Sequence, residues 1–287
     1  MKTIVLSAVF ILFVVAVFGQ VSLFDYFGLT GPGDRIELFA PGLISLENSN
    51  ENSVAVSPLG DEVFFSRGEW PKSRIMCVKK IGNRWNKPEI AAFSSDCYTA
   101  EPAFSPDGKY LYFSSSKGKD NIMDYSIWRV EKSSGNWENA KKVIDITIPG
   151  IWEFHPSITN TGTVFFCYWD SKENKGSIYK SDYFNGSYSE PTKENIPFNE
   201  NSSVTNPFID SEEKYIIVST DQNDNKRGYD VFISNRKKDT WSEPVNIGPR
   251  FNTPENDESF DVSPDGRYFF IYRQGDVYWT ETKEVLK

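Results

Sequence analysis

Apolar and polar residues alternate through most of this chain in runs of four to six residues. That is the period of half-buried β-strands, not the i, i+3, i+4, i+7 spacing of an amphipathic helix. The clearest stretch is Glu101–Ser114, EPAFSPDGKYLYFS. It reads as an extended segment, a tight turn at Pro106-Asp107-Gly108 and an aromatic-rich strand. Related segments start at Ser57 (SPLGDEVFFS), Thr159 (TNTGTVFFCY), Asp210 (DSEEKYIIVS) and Ser263 (SPDGRYFFIY). With Ser105 these anchors lie 48, 54, 51 and 53 residues apart. Two further signals keep the same period. Trp85, Trp137, Tyr188 and Trp241 follow one another at 52, 51 and 53 residues. Between the two sets lie RIMCV, SIWRV, SIYKS, DVFIS and DVYWT, beginning at Arg74, Ser126, Ser177, Asp230 and Asp276.

Each unit thus holds about four short strand signals separated by Gly, Asn, Asp and Ser, which is the content of one propeller blade. The segment Arg35–Ile44, RIELFAPGLI, reads like the end of a blade yet precedes the first anchor, and the last unit stops after its third strand. The pattern therefore predicts an all-β chain: a five-bladed β-propeller with four-stranded blades, the last blade closed by the N-terminal strand. Such closure removes exposed sheet edges.

SPDGKYLYFS, SPDGRYFFIY and DVFISNRKKDTWSEPVNIGPRFNTPENDESFDVSPDG resemble the WD-like propeller repeats of the TolB type, which occur in exported bacterial proteins. The resemblance runs over nearly all of the chain after residue 19 and is weaker in units three and four. There Asn160-Thr161-Gly162 and Ser211-Glu212-Glu213 replace Pro-Asp-Gly. It implies a fold; its motif residues build a turn and imply no chemistry.

Residues 1–19 carry Lys2, then an apolar run from Ile4 to Phe18 broken only by Ser7, and end at Gly19 before Gln20. They are expected to be a secretory signal peptide, too short to span a membrane. Residues 20–34 are expected to be a lead-in with exposed Phe24, Tyr26 and Phe27, and residues 35–287 a single propeller domain. The product would be exported, periplasmic or extracellular, without an integral span, and a monomer because the ring closes on itself. The net charge of −9 argues against nucleic acid or an anionic membrane as partner. Cys77, Cys97 and Cys167 show no metal-like spacing; Cys77 and Cys167 sit in strand patterns, and a Cys77–Cys97 bridge is open after export.

Site candidates follow from propeller geometry, in which the first strand of each blade lines the axis. Four residues before the anchors stand Ser53, Glu101, His155, Asn206 and Ser259, all polar. Two residues earlier stand Glu51, Thr99, Glu153, Val204 and Asp257, with Glu258 adjoining. The channel mouth is expected to present Glu51, Glu101, Glu153, Asp257 and Glu258 with Asn206 and the chain's single histidine, His155. Loops between second and third strands would add Arg67, Glu69, Trp70, Asp124, Tyr125, Trp169, Asp170, Asp221, Arg227 and Arg273. Carboxylates beside aromatic platforms suit a protein, peptide or glycan ligand. Catalytic signatures are missing: there is no Gly-x-Ser-x-Gly, no sialidase Asp-box, and one histidine for all base chemistry. The segment from Asp221 to Asn225 begins like a calcium loop, but Lys226 and Phe232 replace the required Gly and Glu. No cofactor and no metal are expected. The reading is an exported, non-catalytic binding propeller. The alternative is a carbohydrate-active hydrolase drawing an acid and a base from the mouth carboxylates, with Trp152 and Trp169 nearby.

Overall fold

A computed structural model describes residues 24–94, 97–118, 124–222 and 228–286. The segment read as a signal peptide, together with Arg227 and most of the calcium-like stretch, lies outside these. No helix among the described residues is long and apolar enough to cross a membrane.

Five antiparallel sheets stand around one axis. Their inner strands are Glu51–Val56, Thr99–Phe104, Ile151–Ile158, Val204–Ile209 and Glu258–Val262. Second strands Glu62–Arg67, Tyr110–Ser115, Val164–Asp170, Tyr215–Thr220 and Tyr268–Arg273 follow, then third strands beginning at Arg74, Ser126, Lys175, Asp230 and Asp276. The outer strand is continuous only in blade 2, Asn136–Ile144; in blades 1, 3 and 4 it consists of two-residue pieces such as Glu89–Ile90. In blade 5 it comes from the other end of the chain. Glu37 pairs with Trp279 and Leu38 with Tyr278, as the sequence predicts.

The turns after the inner strands explain the repeat motif. Ser105 Oγ donates to Asp107 Oδ1 at 2.7 Å and accepts from Tyr110 N at 2.9 Å. Ser263 repeats this with Asp265 at 2.6 Å and Tyr268 N at 2.9 Å. The anchor serine therefore satisfies backbone groups that the turn would leave orphaned. Gly108 and Gly266 have φ of 70° and 69°, where a Cβ is unfavourable. Unit four manages with Glu213 at φ 58° and Asp210 Oδ2 accepting from Glu212 N and Lys214 N.

The core is a series of inter-blade layers rather than one centre. Phe64, Ile75, Leu111, Phe113, Val130 and Trp137 fill one such layer, between blades 1 and 2. Buried polar groups register the same joint: Glu62 accepts from Lys132 Nζ at 2.8 Å and from Trp137 Nε1 at 3.2 Å. Across the closure, Phe39 packs on Phe270 and Trp279 with ring centroids 4.8 and 5.1 Å apart.

The lead-in departs from expectation. Tyr26 is buried, and Phe24 and Phe27 are half-buried. Tyr26 Oη donates to Asp265 in blade 5 at 2.8 Å, while Asp25 accepts from Trp85 Nε1 in blade 1 at 2.8 Å and pairs with Lys80 at 2.7 Å. A short aromatic segment beside a ring joint buries more apolar area on the joint than in water, so it clamps blades 5 and 1 together. Cys77 and Cys167 are buried thiols, and no disulfide joins Cys77 to Cys97. Burial pushes the Cys77 thiol up to about 12.

Candidate functional site

Every inner strand carries the same irregularity. Pairing with the second strand skips between Asn52 and Ala55, Ala100 and Ala103, Phe154 and Ser157, Thr205 and Phe208, and Glu258 and Phe260. At each skip one residue adopts a left-handed backbone: Ser53 (φ 50°), Glu101 (59°), His155 (57°), Asn206 (50°) and Ser259 (59°). These are the polar residues four positions before the anchors. A left-handed non-glycine residue costs roughly 1–2 kcal/mol, and five of them at one level make a built ring, as bulges at functional rims do.

The ring is cross-linked by its side chains. His155 Nε2 meets Ser259 Oγ at 2.9 Å, and Ser259 Oγ meets Ser53 Oγ at 2.6 Å. Glu101 Oε2 accepts from the backbone N–H of His155 at 2.9 Å and from the Ser114 hydroxyl. Glu101 N donates to Ser66 Oγ at 2.8 Å. Below this level a cavity of about 30 Å³ leads on down the axis.

Burial governs the electrostatics. It raises the Glu101 carboxyl to about 7 against the two hydrogen bonds it accepts, with Glu258 adding repulsion. Glu258 is raised as well, by burial first and then by Asp257. Burial lowers the His155 imidazole to about 4, so the ring nitrogen is neutral at physiological pH. A Glu–His–Ser relay does not form, because Glu101 holds the His155 backbone instead of orienting its imidazole.

The other predicted carboxylates sit in joints. Glu51 is fully buried, bound by Arg67 Nε at 2.7 Å and by Leu46 N at 3.2 Å. Asp257, also fully buried, is bound by Arg273 Nε at 2.8 Å and by Thr253 N at 2.5 Å. Glu153, buried too, accepts from Ile146 N at 2.9 Å. Each carboxylate caps the loop that leads into its own inner strand. The two arginines stand ten residues after their anchors, and blades 1 and 5 are where an acid faces them across the strand pair. That covariation within the repeat was readable in the sequence.

The loops at the mouth bring together residues far apart in the chain. Trp152 and Trp169 are cross-strand partners whose rings lie 6.4 Å apart at 12°. Tyr125 meets Trp152 at 6.0 Å and Tyr98 at 4.7 Å. Trp70, 52% exposed, donates its indole N–H to the Tyr125 hydroxyl. The result is an aromatic stripe across blades 1 to 3 beside the acidic channel. Asp170 caps its own loop through Lys172 N at 2.9 Å, and Asp221 accepts from Ser203 N at 2.8 Å. Among the described residues no group of three or more His, Cys, Asp or Glu side chains is placed to hold a metal ion. Trp152 was expected beside the mouth carboxylates, whereas Tyr98 completes the stripe without having been a candidate. Tyr98 immediately precedes an inner strand, a position that reads as core.

No protein-family model matches the sequence, and no curated protein is found similar to it. Solved structures do match. A TolB candidate from Agrobacterium tumefaciens superposes with a TM-score of 0.55 at 12% identity, over 79% of this chain and 71% of that one. TolB from Acinetobacter baumannii gives 0.53 at 17% identity, over 84% of this chain but only 54% of that protein. A thermostable family-43 glycoside hydrolase gives 0.53 at 13% identity, over 82% and 89% of the two chains. At these identities the likeness is one of fold, shared by proteins of different activity.

Proposed function

We propose that this chain is an exported, non-catalytic β-propeller that binds an extended peptide, protein segment or glycan across its channel mouth. The rings of Trp70, Trp152 and Trp169, exposed or half-exposed and seated on the buried Tyr125, carry the reading. Flat rings in series give apolar contact area at low conformational cost, which suits prolyl and aromatic side chains or sugar faces. Glu101, Glu258, His155 and Asn206 close the inner end of the surface and would fix the polarity of the bound chain. Glu51, Glu153, Asp257 and Arg273 are proposed to shape the mouth from below, since their charges are spent on the loops and on one another. Trp169 contributes contact area.

The state of the carboxylates supports binding over hydrolysis. A glycosidase pair needs one acid kept protonated and one kept ionised; burial raises both Glu101 and Glu258. One observation does favour a carbohydrate-active hydrolase as the second reading: Glu101, with a pKa of about 7, has the character of a general acid.

Glycan and peptide arrays probed with residues 20–287 test both. Binding that weakens at least about tenfold in Trp152→Ala, with no product released, supports the leading reading. Release of reducing sugar from a bound glycan, lost in Glu101→Gln, would replace it with the second. Binding unchanged in Trp70→Ala, Trp152→Ala and Trp169→Ala would refute the mouth as the binding face.

A further inference from the structure

The axis also opens at its other end. The five turns that follow the inner strands surround a funnel of about 490 Å³, reached by residues of all five blades. Its shape follows from the position two residues before each anchor, occupied by Ala55, Ala103, Ser157, Phe208 and Asp261. Three small side chains leave open space on the side of blades 1 to 3. Blades 4 and 5 supply an aromatic ring and a carboxylate opposite. Phe208 stacks on Tyr215 with centroids 6.3 Å apart at 28°. Asp261 lines both the funnel and the narrow cavity above it.

The charge of this space is one-sided. Its lining residues include two carboxylates, Asp210 and Asp261, and no lysine, arginine or histidine. Asp210 already serves the backbone of its turn. Asp261 accepts only from Val262 N, at 2.8 Å, among the described residues, and no basic side chain pairs with it. A half-buried carboxylate with no basic partner, next to stacked rings, is suited to pairing with a cation.

We infer that the funnel binds a small organic ammonium ion, its charge on Asp261, its apolar body against Phe208 and Tyr215 and in the space left by Ala55 and Ala103. A carboxylate and π-faces together select an ammonium over a neutral group of the same shape. The site lies on the face opposite the mouth and stands or falls independently of the reading proposed above. Desolvation within the ring raises the Asp261 carboxyl to about 8. Binding of a cation must then displace its proton, so affinity rises with pH up to that value. The other titratable groups around Asp261 are Asp210 and Tyr215 in the funnel and Glu101 and His155 across the channel.

The test is an NMR titration of residues 20–287 with benzylammonium and, as its neutral counterpart, benzyl alcohol. Benzylammonium should bind at least about tenfold more tightly at pH 8 than benzyl alcohol does. Its affinity should rise severalfold between pH 6.5 and 8. Asp261→Asn, near-isosteric and checked by its melting temperature, should remove both the preference and the pH dependence. Ala103→Leu, which keeps the carboxylate but fills the space, should weaken both ligands together. Equal affinity for the two probes, an unchanged preference in Asp261→Asn, or indifference to Ala103→Leu would each overturn the assignment.

Discussion

Closure of the ring by its N-terminal strand rests on very little backbone, and Phe39 measures how much that closure contributes. The strand itself is Glu37–Leu38, extended by one hydrogen bond from Phe39 N to Val277 O at 2.8 Å. The Phe39 side chain is fully buried and packs against Phe270, Trp279 and Phe27. Truncation to alanine removes that apolar area and leaves a cavity between blades 5 and 1. Such changes cost about 3–5 kcal/mol, a large part of the roughly 5–15 kcal/mol that keeps a domain folded. Urea unfolding followed by tryptophan fluorescence is the assay. With a denaturant slope of about 3 kcal/mol/M, the midpoint of Phe39→Ala should fall by roughly 1–1.7 M. Phe184→Ala is the comparison, because Phe184 is 74% exposed on a peripheral hairpin. It should change stability by no more than about 0.5 kcal/mol. A Phe39→Ala midpoint indistinguishable from that of Phe184→Ala would refute the argument that this segment closes the ring.

Other consequences are equally direct. Arg273→Met strands the fully buried Asp257 carboxylate and should cost about 3–5 kcal/mol, whereas adding Asp257→Asn should restore much of the loss; urea midpoints of the two variants decide. Glu101 titrates near 7 in the folded chain against an ordinary 4.5, so the folded state keeps a proton that the unfolded chain gives up. Its contribution to stability is whole below pH 4.5 and is lost as pH rises to 7. In Glu101→Gln, melting temperatures between pH 4.5 and 7 should decline less than in the parent; an identical decline would place the titration elsewhere.

The repeat was legible because three signals of different chemistry keep one period: an anchor hydroxyl that organises a turn, a β-rich third strand, and an outer aromatic that fills an inter-blade layer. Closure was legible because Arg35–Ile44 reads as a blade end in the wrong place. The candidate site was less so. That Ser53, Glu101, His155, Asn206 and Ser259 share one level followed from counting. Their left-handed backbone did not, because none of them is glycine and the bulge is imposed by the ring. The fate of Glu51 and Asp257 depended on Arg67 and Arg273 across the strand pair, an interaction between positions sixteen residues apart. Tyr26 looked exposed because its burial comes from blade 5, more than two hundred residues later. Asp261 drew no notice, since one acid in a strand reads as an outward-facing residue until the ring sets it on the axis.

The claim that the mouth is the binding face is tested most directly by the indole N–H signals of the eight tryptophans. A peptide or glycan found on the arrays is titrated into 15N-labelled protein. The account expects the Trp70, Trp152 and Trp169 signals to shift in step with occupancy. Trp137 and Trp241, in inter-blade layers, and Trp279, in the closing blade, should stay in place. Movement of Trp137, Trp241 or Trp279 with the mouth tryptophans unmoved would contradict it and put the binding surface on the rim of the ring.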